Sequence, residues 1–232
     1  MNENKKSLPW RSVVQLVLIV FVSQFLPMII SGRWDWPEAW LYAISAILVF
    51  VLSRLLAARR HPDLITERAR FLEAKDTKPW DKVLAPMLGF GSILILVVVG
   101  FDERFDWSPA FSQTAHLLAF AGLLLGYAFS SWALIENRFF SGTVRIQTER
   151  GHHVVTGGPY RIVRHPGYAG AVLAYLLIPV LLDSTWAFIP SILLLVVVIV
   201  RTSLEDRTLQ EELPGYKEFT KTTRYRLLPG VW

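Results

Sequence analysis

Imidazole, guanidinium and phenol side chains crowd into one stretch of the chain, from Thr143 to Gly170. Within it, Gly157-Gly158-Pro159 and His165-Pro166-Gly167 bracket Tyr160, Arg161 and Arg164. Proline is tolerated in the first turn of a helix, so Pro166 can open a helix directly after His165. The residues from Tyr168 to Leu182 are almost wholly apolar. A charged turn therefore stands at the mouth of a hydrophobic helix, where ionisable groups point to function. The free N–H groups of a helix start favour an anionic group such as a carboxylate. Tyr160 and Tyr168 can offer ring faces to a cation. The plainer alternative makes the tyrosines interfacial belt residues and His165 a cap.

A second constellation lies at Arg201, Glu205 and Asp206. Arg201 and Glu205 are four apart, so they share a helix face and could simply pair. If the last two apolar segments form a hairpin, this cation and carboxylate return beside His165. Such a site suits a zwitterion carrying both an ammonium and a carboxylate. His152 and His153 are adjacent and cannot both face one point, and neither has a partner at i+4, so no metal site is expected. The chain has no cysteine, which excludes disulfides, thiolate metal ligation and cysteine nucleophiles.

The elements that must position these groups are membrane helices. Apolar residues make up 53% of 232, with nine tryptophans and a mean hydropathy of +0.38, a membrane composition. Six apolar segments are expected, roughly 12–30, 40–56, 83–101, 115–135, 168–182 and 186–200. The first four have the ~17–25 residues that a crossing requires. The last two are shorter, and a three-residue link makes them a tight hairpin. Of the 24 lysines and arginines, only Arg33 and Arg104 fall on one side of this alternation. The excess on the other side places both termini in the cytoplasm. The net charge of +5 lies between apolar spans rather than in one patch, so a membrane surface is favoured over nucleic acid. The expected fold is thus an all-α polytopic membrane protein of about six spans. Residues 1–136 form a four-span region and residues 137–232 a core, closed by a cytoplasmic C-terminal helix over a cofactor pocket.

Smaller features have structural readings. Trp34, Trp36, Trp40 and Trp107 read as interfacial anchors. Gly122 and Gly126 form a Gly-x-x-x-Gly step suited to close helix packing. Residues 59–82 form a charged, partly helical loop, solvated or lying on the interface.

The run Gly158-Pro159-Tyr160-Arg161-Ile162-Val163-Arg164-His165-Pro166-Gly167-Tyr168, with Arg201, Glu205-Asp206 and Leu209 after it, resembles the isoprenylcysteine carboxyl methyltransferase family. That family sits within a wider group of membrane methyltransferases that includes phospholipid methyltransferases. The terminal Arg224 to Pro229 is similar to its closing segment. The resemblance covers roughly residues 137–232 and implies S-adenosylmethionine as methyl donor. It implies cofactor contacts from Gln147, His152, His153, Val154, Val155, Tyr160, His165, Pro166, Gly167, Tyr168 and Glu205. Arg201 would hold the substrate, with His165 beside it as the second catalytic residue. Asp206 stands where the family often has a second glutamate.

These readings converge on methyl transfer to a lipid-like or prenylated acceptor at the cytoplasmic interface, in the inner membrane of a prokaryote. A carboxylate acceptor is favoured, since it is ionised at pH 7 and needs no general base. An amine or thiol would need His165 or a nearby carboxylate to take a proton. Two rivals remain: an NADPH-dependent membrane reductase using Arg161 and Arg164 for the extra phosphate, and a non-catalytic membrane protein.

Overall fold

The computed structural model describes residues 20–69 and 76–232, and among them it contains helices, turns and no strand. The helices are α1 (Leu26–Ser31), α2 (Pro37–Arg60), α3 (Pro62–Ala69), α4 (Asp81–Phe105), α5 (Gln113–Glu136), α6 (Pro166–Leu181), α7 (Phe188–Glu212) and α8 (Tyr216–Thr222). Four of them, α2, α4, α5 and α7, are long and apolar enough to cross a membrane. Their outward faces carry exposed Leu48, Phe90, Leu118, Leu125 and Leu193. A soluble protein would not leave so much large apolar surface in water.

The six expected segments map onto this bundle with changes in the first and the last. Residues 12–19 of the first lie outside the described residues. The remainder is broken by a turn at Gln24 and Phe25 before the six-residue α1. The fifth segment is α6, of only 16 residues. The sixth does not stop at Val200: α7 continues to Glu212, 25 residues in all. At 1.5 Å per residue, α6 spans roughly 24 Å and α7 roughly 37 Å, so the hairpin is lopsided. The overhang of α7 carries Arg201, Glu205 and Asp206 on ordered helix, because Leu204 and Leu209 continue its apolar periodicity past the charges.

The glycine step works within the chain. A Cβ on Gly126 would lie 2.8 Å from the carbonyl of Gly170, and one on Gly122 would strike Leu177. Removing those side chains lets α5 and α6 meet backbone to backbone. Ser130 Oγ then donates to the carbonyl of Gly167 at 2.9 Å, fixing the first turn of α6 against α5. One apolar core, including Val99, Leu123, Ala174, Leu181 and Leu194, joins α4 to α7.

Trp36 corrects the belt assignment. It is 1% exposed and belongs to the core, whereas Trp34, Trp40 and Trp107 are exposed as expected of anchors. Residues 70–75 of the charged loop lie outside the described residues. Its helical part, α3, is clamped to the protein rather than free: Leu64 packs against Ala57 and Leu134, and Asp63 accepts from Arg138 at 2.9 Å and Arg150 at 2.7 Å.

The connector cavity

Between α5 and α6 the chain runs through the connector at 137–165, where two 3-10 turns, Thr148–Arg150 and Gly158–Arg161, reverse it. Gly151 and Gly158 have φ of +67° and +54°, a region that costs other residues strain. At Gly158 a side chain would also collide with Trp132 and Glu136. The turn at Gly157-Gly158-Pro159 thus lays Tyr160 against the end of α5, where Asn137 Nδ2 donates to its hydroxyl at 3.0 Å. Tyr160 is buried, and burial raises its phenol well above the usual range.

The connector is stitched to the C-terminal segment. The backbone N–H groups of Arg164 and His165 donate to the carbonyls of Tyr225 and Arg226, each at 2.9 Å. Asp206 is the hub of this contact and is fully buried. It accepts from Arg164 Nε at 2.7 Å and Nη2 at 2.9 Å, from Arg226 Nε at 2.9 Å and from Tyr216 Oη at 3.0 Å. His165 Nε2 lies 3.3 Å away. Desolvation works against the Arg164 charge, but the bonds to Asp206 outweigh it and raise the guanidinium further. Burial first, then the Asp206 charge, keeps the Tyr216 phenol protonated. A buried carboxylate with this many donors holds the turn and the C-terminal segment in one geometry.

A cavity of about 540 Å³ opens between the connector, α6, α7 and α8, within the usual range for small-molecule sites. Residues 152–155, Tyr160, residues 165–168, Arg201 and Glu205 all line it, as do Tyr216 and Phe219 of α8. His165 and Glu205 therefore face one space. The His165 ring stacks on Tyr168 with centroids 5.9 Å apart, and Tyr168 Oη donates to Glu205 Oε2 at 2.6 Å. His165 makes no side-chain cap to α6.

Gln147 is not among the lining residues. Its side chain is 1% exposed and turned inward, with Nε2 donating to the Phe139 carbonyl at 2.8 Å. Its N–H donates to His152 Nδ1 at 3.3 Å. It shapes the loop that carries His152 instead of facing the cavity. The His152 imidazole is lowered to about 4, by burial first and then by His153, Arg145 and Arg150, so it is neutral at pH 7.

Arg201 does not pair with Glu205. It grips Asp81, at the start of α4, through Nε at 2.6 Å and Nη2 at 3.0 Å, and Nη2 also donates to the Gly142 carbonyl at 3.1 Å. Its Nη1 donates to Tyr168 Oη. Four of the five guanidinium N–H groups are engaged, leaving one for a ligand. Glu205 is left with a tyrosine hydroxyl and no cation among the described residues. A carboxylate without a cation, facing a cavity lined by four tyrosines, fits the ammonium and sulfonium of S-adenosylmethionine. Arg164, considered for a phosphate, also has four N–H groups engaged, two by Asp206 and two by the carbonyls of Thr223 and Arg224.

Sequence reasoning found the turn and the charged residues after Val200, though not that one helix runs on through them to Glu212. It missed Asp81 as the partner of Arg201 and gave Asp206 no role. It also missed that Arg54 and Arg68 line the cavity. Arg54 stands inside an apolar segment, which is a signal, whereas Arg68 lies in the charged loop and carries none.

Residues 117–211 match the model of the "Isoprenylcysteine carboxyl methyltransferase (ICMT) family". No curated protein matches the chain significantly.

Proposed function

We propose that this membrane protein, with its ICMT-family methyltransferase domain, methylates the carboxylate of a lipid-like or prenylated acceptor with S-adenosylmethionine as donor. Both termini and the connector cavity are assigned to the cytoplasmic face, on the lysine and arginine bias described above. The observation that carries the reading is Glu205: a carboxylate lacking a cation, held by Tyr168 beside the His165 turn in a cavity of ligand size.

When bound, S-adenosylmethionine supplies a sulfonium methyl; a carboxylate oxygen bonds to that carbon as the S–C bond breaks, its electron pair stays on sulfur, and no proton moves. Glu205 would hold the donor's ammonium. Tyr160, Tyr168 and Tyr216 surround the cavity with ring faces and neutral hydroxyls. The free N–H of Arg201 reaches toward an acceptor oxygen, while Asp81 and Gly142 keep the guanidinium from swinging away. Catalysis is then mainly positioning in a site screened from water. His165, held at Asp206 and stacked on Tyr168, orients that ring and has no proton to remove from a carboxylate.

Titration of the detergent-purified protein by calorimetry tests the donor. S-adenosylmethionine should bind and NADPH should not, and Glu205→Gln should weaken binding by roughly tenfold or more, the worth of one charge-assisted contact. Binding of NADPH alone would end the methyltransferase reading.

A further inference from the structure

Four arginines are among the described residues lining the connector cavity, and only one carboxylate, Glu205, joins them. Arg164 and Arg201 are neutralised by Asp206 and Asp81. Arg54 and Arg68 have no carboxylate partner among the described residues. Arg54 donates to Ser53 Oγ at 2.9 Å and lies 3.9 Å over the ring of Phe50. Arg68 donates to the Phe140 carbonyl at 3.1 Å and lies 5.3 Å from that ring's centre. Elsewhere the fold supplies acids freely: Arg145 alone contacts Glu67, Asp76 and Glu149. The shortage at Arg54 and Arg68 is local.

A second cavity of about 220 Å³ adjoins the first, and the two share Arg54, Arg68, Ser130 and Phe140. The rest of its wall is mainly apolar, with Phe21, Ile47, Val49, Phe50 and Leu134. The cations therefore stand at the junction of the chamber that holds His165 and Glu205 and a greasier one. Burial lowers the Arg68 guanidinium to about 10, and the nearby Arg201 charge adds to this; it stays protonated at pH 7. Two charges half-withdrawn from water without counter-ions are costly, and an anion would relieve that cost.

We propose that Arg54 and Arg68 hold the carboxylate of an amphiphilic acceptor, with the apolar cavity beside them taking the start of its chain. This rests on the methyltransferase reading and names the acceptor's anchor. The two guanidiniums come from α2 and α3, outside the matched family segment. A carboxylate there keeps one oxygen on the arginines and turns the other toward Tyr168 and Arg201. Methylation erases the acceptor's charge, so the same arginines that select the acid release the ester.

Binding of an S-prenylated cysteine and of its methyl ester, measured by competition on the protein in detergent without methyl donor, tests this. Wild type should bind the acid at least tenfold more tightly than the ester. Arg54→Gln/Arg68→Gln should bring the ratio below about twofold, while Arg54→Lys/Arg68→Lys, which keeps both charges but loses the planar fork, should give an intermediate ratio. Equal binding of acid and ester by wild type, binding of neither, or an unchanged ratio in the glutamine variant would overturn the assignment. S-adenosylmethionine affinity should be the same in all three proteins. The donor titration of wild type fails separately if the methyltransferase reading itself is wrong.

Discussion

Arg164 and Arg201 each grip a fully buried aspartate through two N–H groups, whereas Arg54 and Arg68 face the same cavity with a hydroxyl, a carbonyl and aromatic rings for company. The difference separates two uses of one residue type. A buried arginine with its own carboxylate is a brace, joining segments far apart in sequence: Arg201 to Asp81 across 120 positions, Arg164 to Asp206 across 42. A half-buried arginine without one, such as Arg54 or Arg68, holds a charge for something that arrives later. If this division is right, removing a partner from the first pair should damage the fold, and removing a member of the second should not.

The largest effect is expected at Asp206. Asp206→Ala strands the guanidinium of Arg164 in a buried site and leaves Arg226 and Tyr216 without their acceptor. Breaking a buried pair from one side costs about 3–5 kcal/mol. Unfolding in detergent, followed by tryptophan fluorescence, should show a fall of that order. A variant as stable as wild type would mean that Asp206 braces nothing.

A smaller effect follows from His152, which lies close to Arg145 and Arg150 with their carboxylates already in place. Its folded value of about 4 is below the ordinary ~6.5. The unfolded chain therefore takes up the proton first as pH falls. Stability from this group is present above about pH 6.5 and is lost progressively toward pH 4, by roughly 2 kcal/mol between pH 6.5 and 5. His152→Gln should flatten that part of the stability profile relative to wild type. Parallel profiles for the two proteins would mean that His152 titrates normally.

Much of this division was invisible to a reading along the chain. Hydropathy located α2, α4, α5 and α7 because a membrane helix is a local, length-limited pattern. The Arg-His-Pro turn and Glu205 were legible because proline, glycine and helical spacing act over a few residues. The i, i+4 spacing of Arg201 and Glu205 suggested a pair, yet Tyr168 stands between them in space, and Asp81 outcompetes from another helix. No local rule reaches 120 positions. Trp36 was misassigned for the same reason, since its neighbours suit an anchor and only the packing of the bundle buries it. Arg54 and Arg68 counted toward topology in the sequence, and only the shape of the cavity reveals that their acids are missing.

Arg68→Met gives the smallest expected change in stability and the sharpest test of the comparison. The methionine keeps an apolar stem against Phe140 and removes a charge that has no carboxylate to miss it. Replacing a desolvated, unpaired charge by an apolar group of similar length is often neutral or stabilising. The single bond lost, to the Phe140 carbonyl, is worth about 1 kcal/mol at most. The unfolding free energy should thus stay within about 1 kcal/mol of wild type, in either direction, and the preference for an acid over its ester should shrink. A loss of 3 kcal/mol or more would place Arg68 with Arg164 and Arg201 as a brace, because only a charge already compensated in the folded state costs that much to remove.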